Sequence, residues 1–166
     1  MATYVNNVEW RGNHLGYTWC QNGVEMEFSA PPDLHGLPNV LTPEDAFIAS
    51  SNTCYFMMVL WAAERFKLEL ESLECRAEGE VEEFIDRTSW FRKITLYPRI
   101  VARGKTEEYV RRALDMALKY STINQSLKSE IVIQPGLCPV KWCISHRNHE
   151  SVQAAFRARS FVVGNT

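Results

Sequence analysis

The chain has 166 residues, 46% of them hydrophobic and 23% charged, with a formal net charge of -2 and five cysteines. That length supports one domain with a real core, since roughly 70% of the unfolded chain's surface can leave water without disulfides or a structural metal. With 18 basic against 20 acidic side chains there is no basic field, which argues against nucleic acid as the main partner and leaves any acidic ligand to a local site.

The start, Met-Ala-Thr-Tyr-Val-Asn-Asn, lacks the basic flank and apolar core of a signal peptide. No apolar run is expected to span a membrane, so the expectation is a cytoplasmic protein with no membrane partner. In that reducing compartment Cys20, Cys54, Cys75, Cys138 and Cys143 should be thiols, each a core residue, a ligand or a reactive group, and their odd number argues against a fully paired disulfide framework.

Short apolar runs separated by turn signals open the chain: Tyr4 to Trp10, a turn at Arg11-Gly12-Asn13, Leu15 to Cys20, Asn22-Gly23, then Val24 to Phe28. Asn-Gly between such runs is a strong hairpin signal, so these residues predict a β-meander. Pro31, Pro32, Gly36 and Pro38 then break regular structure. At Thr42-Pro43-Glu44-Asp45 a capping hydroxyl, a proline at the first helical position and two acids in the first turn start a helix. Its apolar residues, from Phe47 to Ala62, cover most of the circumference, which predicts a buried central helix.

Alternation then predicts strands over Leu68-Glu80 and Trp90-Arg103, joined by the acidic Glu80-Asp86. A second helix is capped by Thr106, a short one covers Ser121-Lys128, and Glu130-Ile133 forms a final strand. The order βββ-α-ββ-α-α-β predicts an α+β fold, an antiparallel sheet wrapped on a central buried helix. The domain is expected over residues 1–134, with 135–166 a partly helical C-terminal extension packing on the body or on a partner chain. In that extension Cys138, Cys143, His146 and His149 have ligand types suited to zinc. Structural zinc sites favour two pairs separated by a longer loop, so neither a metal nor another cofactor is expected.

Pro43-Glu44 opens the apolar helix and Cys54 follows ten positions after Glu44. Together with the element order, this resembles the OsmC/Ohr family of thiol-dependent hydroperoxide reductases, over roughly residues 3 to 134. The resemblance implies a peroxidase acting on organic hydroperoxides in oxidative stress. Cys54 would be its redox-active nucleophile, attacking the O–O bond and becoming a sulfenic acid. An apolar helix disfavours a thiolate, so a cation must stand near the sulfur. Glu44 is itself anionic and, ten residues along a straight helix, about 15 Å away. In the family the glutamate holds an arginine that points at the sulfur. Arg11 is the only arginine upstream of the helix and fills that role here, with His14 and His35 as weaker substitutes.

Family members that turn over carry a resolving cysteine at the turn after the second long helix. Leu118-Lys119-Tyr120-Ser121-Thr122-Ile123-Asn124 puts Ser121 there. Serine cannot form a disulfide, so a Cys54 sulfenic acid would need an external thiol reductant, or one of the other cysteines, to be reduced. Cys138-Pro139-Val140 reproduces the resolving tripeptide, but beyond the last strand, while Cys20 and Cys75 read as small core residues. The resemblance also implies an intertwined homodimer, with the central helices near the symmetry axis and each site built from both chains. The alternative is a non-catalytic stress protein binding a small hydrophobic molecule among Phe47, Tyr55 and Phe56, with Cys54 a packing residue only.

Overall fold

The computed structural model describes residues 1–86 and 88–137. Cys138, Cys143, His146, His149 and the expected tail helix lie outside the described residues. Three short strands come first, β1 (Asn6–Gly12), β2 (Leu15–Cys20) and β3 (Glu25–Ser29), then α1 (Pro43–Arg65). There follow β4 (Glu69–Glu83), β5 (Ser89–Arg103), α2 (Glu107–Tyr120), α3 (Thr122–Gln125), β6 (Glu130–Ile133) and β7 (Gly136–Leu137). The fold is α+β.

The meander forms as predicted, and Gly23, at φ 86°, supplies the left-handed conformation that its second turn needs. This sheet joins the rest of the chain through the loop before α1, where the Ser29 N–H donates to the Leu41 carbonyl at 2.9 Å. Thr42 caps α1 by accepting the Asp45 N–H at 3.0 Å, with Pro43 behind it and Glu44 and Asp45 in the first turn. The helix ends where Phe66 donates to Ala62 and Lys67 turns left-handed at φ 51°. In α2 the buried Val110, Ala113, Leu114 and Ala117 recur at helical spacing, and Thr106 caps it by accepting the Tyr109 N–H at 3.3 Å.

The expected single antiparallel sheet is corrected to two sheets, β1-β2-β3 and β4-β5-β6, with β7 also on β5. Within the second, β4 and β5 are antiparallel, but β6 and β7 pair with β5 in parallel. The cause is the connection: β5 reaches β6 through α2 and α3, and such a crossover returns the chain in the same direction. A second correction concerns the acidic Glu80-Asp86. The strand continues through Glu83 because Glu80 lies opposite Lys93 and its carboxylate takes both Lys93 and Arg92. The short helix is confined to α3, with Ser121 as its N-cap.

The core lies between α1, α2 and the second sheet, around Tyr55, Val59, Ile94, Leu96, Leu114 and Ala117. A Cβ on Gly79 of β4 would strike the Ile48 and Phe91 side chains, so glycine there lets the first half of α1 lie close to the β4–β5 ribbon. By length and composition alone α1 could cross a membrane, contrary to the expectation for the sequence. Here its buried stripe, Ser51, Tyr55, Val59 and Ala62, packs into the fold against β4, α2 and α3.

Candidate active site: Cys54 against a buried polar cluster

Ser51 and Cys54 lie three residues apart on α1, which sets them on one face of the helix. Across from them the chain leaves α2 at Ser121, whose extended backbone (φ -74°, ψ 97°) breaks the helix and starts α3. This turn carries Ser121 to the sulfur: its hydroxyl donates to Cys54 Sγ at 3.2 Å. Asn124, three residues on, donates from Nδ2 to Ser121 Oγ at 2.8 Å and to the Ser51 carbonyl at 3.1 Å. The Ser51 hydroxyl donates to Asn124 Oδ1 at 2.5 Å. Ser51, Ser121 and Asn124 are buried, whereas Cys54 is half-buried. A polar cluster in an otherwise apolar interior survives because every member is hydrogen-bonded.

The other predicted site residues are not brought to Cys54 within one chain. Glu44 is exposed in the first turn of α1, and among the described residues none forms an ion pair with it. Arg11 is exposed on β1, pairs with Glu9 through Nε at 2.5 Å, and lies 4.6 Å over the Tyr17 ring. His14 and His35 face one another with ring centroids 6.2 Å apart.

Residues 36–135 match the family model of OsmC-like proteins. The chain belongs to the OsmC-like family. Its fold is similar to an OsmC-like protein of unknown function from Vibrio cholerae, with a TM-score of 0.74 and 19% identity over 81% of this chain and 99% of that one. It is also similar to an OsmC-like protein from Mycoplasma pneumoniae, with a TM-score of 0.72 and 14% identity over 82% of this chain and 97% of that one. A third structure, an organic hydroperoxide resistance protein from Elizabethkingia anophelis, gives a TM-score of 0.68 and 17% identity over 84% of this chain and 97% of that one. No curated protein matches the chain.

In this OsmC-like chain the face of α1 toward β4 has a different character. Asn52 donates to the Cys75 carbonyl at 3.0 Å, and the buried Tyr55 hydroxyl has no partner among the described residues. Burial pushes the Cys75 thiol up to about 11, and burial followed by the neighbouring Cys75 pushes the Tyr55 hydroxyl up as well. Cys75 is therefore a protonated thiol at neutral pH, packed against the core. Cys20 accepts an N–H of Asn6 at 3.4 Å at the end of β2. Of the aromatic residues considered for a ligand pocket, Phe47 stacks on Phe91 at 4.8 Å and Tyr55 is wholly buried, so both are used in packing.

Reading the sequence missed Ser51 and Asn124. Their signal was the repeated three-residue spacing, Ser51 to Cys54 and Ser121 to Asn124, which places a polar residue beside each predicted site position on its helix.

Proposed function

We propose that this OsmC-like protein is a cytoplasmic, cysteine-based reductase of organic hydroperoxides, acting in oxidative stress with one catalytic thiol and an external thiol as reductant. The observation that carries the reading is the Ser121 hydroxyl 3.2 Å from Cys54 Sγ: the turn that should bring a resolving cysteine comes to the sulfur, and it brings an oxygen. The similarity to the organic hydroperoxide resistance protein from Elizabethkingia anophelis supports the substrate class.

The chemistry closes with one protein thiol. The Cys54 thiolate attacks the distal oxygen of ROOH; the O–O bond breaks, an S–O bond forms, and the alkoxide leaves and takes a proton to become ROH. Sulfur is oxidised by two electrons to the sulfenic acid. One external thiol condenses with it, releasing water and leaving a mixed disulfide on Cys54. A second attacks the external sulfur, freeing Cys54 and a small disulfide. In this cycle Glu44 orients Arg11 as the cation near the sulfur. Because Arg11 and Glu44 do not meet within one chain, the reading includes an intertwined homodimer in which the N-terminal sheet of one copy serves the site of the other. The proposed domain covers residues 1–134, followed by a C-terminal extension, 135–166.

The test is turnover. The protein should consume cumene hydroperoxide at the expense of a small monothiol or dithiol, and Cys54→Ser should abolish consumption while Cys20→Ser should not. Equal turnover by the Cys54→Ser protein would dismiss the reading.

A further inference from the structure

The geometry points to Ser121 as the hydrogen-bond donor that holds Cys54 as a reactive thiolate, with Asn124 and Ser51 as positioning residues that fix the direction of its proton. This rests on the reading of Cys54 as the reacting thiol.

The direction follows from donor and acceptor inventory. The Asn124 side chain has one acceptor oxygen and two N–H donors. Oδ1 takes the Ser51 hydroxyl, while Nδ2 serves the Ser51 carbonyl and Ser121 Oγ. Turning the amide over would set Oδ1 against the Ser51 carbonyl, acceptor against acceptor, so the orientation is determined by the network. With Asn124 donating to Ser121 Oγ, the single Ser121 proton is left for the sulfur at 3.2 Å. Water does not compete, because Ser51 and Ser121 are 0% and Asn124 is 3% exposed.

The bonds then run in one sense, Ser51 to Asn124 to Ser121 to Cys54, each donor polarising the next. A hydrogen bond to an ionised acceptor is about twice as strong as one between neutral groups, so a donor aimed at sulfur favours the thiolate over the thiol. Cys54 itself is only half-buried, unlike the three polar residues behind it. Serine at this turn thus exchanges a disulfide partner for a fixed proton donor.

The test alkylates the full chain with iodoacetamide and follows Cys54 by peptide mass spectrometry across pH. Ser121→Ala should slow Cys54 near neutral pH by about tenfold, the loss of one charge-assisted bond. Well above ~8.5, where free thiols ionise unaided, the variant and the parent should react alike. Ser121→Thr, which keeps the hydroxyl, should restore most of the neutral rate. Asn124→Ala should slow Cys54 in the same sense and by less, and it provides the reading if Ser121→Ala fails to fold. Equal rates near neutrality would overturn the inference. So would one constant factor at every pH, the mark of altered access and not of altered ionisation. No peroxide enters this assay, so a sulfur inert to hydroperoxide would count against the reductase while leaving this result readable.

Discussion

Ser121 determines what can follow oxidation of Cys54. A hydroxyl in contact with the sulfur cannot itself form a disulfide, yet the same contact puts position 121 within side-chain reach of Cys54. Disulfides require Cα atoms within about 7 Å and suitably directed Cβ vectors, and side-chain tips that touch at 3.2 Å make position 121 the place to try one. Ser121→Cys should therefore form a disulfide between Cys54 and the introduced thiol after one equivalent of hydroperoxide, seen as loss of two hydrogens in the tryptic pair. Two alkylatable thiols surviving in the oxidised variant would mean that the turn does not hold position 121 against the sulfur. The three-residue spacings that set up this cluster are visible in the sequence, but the pairing is not. Ser51 and Asn124 meet across 73 positions, a contact that exists only once α3 has docked on α1.

At the scale of the element, the contact of α1 with β4 makes an alkaline prediction. Burial raises the Cys75 thiol to about 11 from an ordinary 9.0, and Tyr55 beside it is raised too. The unfolded chain gives up the Cys75 proton first, so above the ordinary value it binds fewer protons than the folded chain. Stability then falls as pH rises from 9.0 toward about 11 and is unaffected by this group below that window. Urea denaturation at stepped pH should show the fall, and Cys75→Ala should make it shallower; an unchanged slope in that variant would remove Cys75 from the account. Local signals located the elements well where local chemistry decides them. Thr42 and Thr106 cap the helices that their sequences announce, and β6 occupies the expected Glu130–Ile133. The direction of β6 was not legible, because it depends on the crossover through α2 and α3. Nor was the strand character of Glu80–Glu83, which depends on cations from the opposite strand.

At the scale of the whole molecule, the described residues leave large apolar side chains uncovered. Trp10 on β1 is 77% exposed, Met57 on α1 is 57% exposed, and Ile85 at the end of the β4–β5 ribbon is also open. The N-terminal sheet makes little contact with the helices or second sheet of its own chain. Large exposed apolar residues of this kind, spread over α1, β1 and the ribbon tip, suit an obligate partner. The expectation is a dimer by sedimentation at micromolar concentration, weakened toward monomer by Met57→Lys. A monomeric parent protein at that concentration would contradict the two-chain site. Reactivity of Cys54 itself is read out by sulfenic acid trapping. With near-stoichiometric cumene hydroperoxide and dimedone, one adduct per chain is expected, on the Cys54 peptide. An unmodified Cys54, or an adduct only on another cysteine, would contradict it.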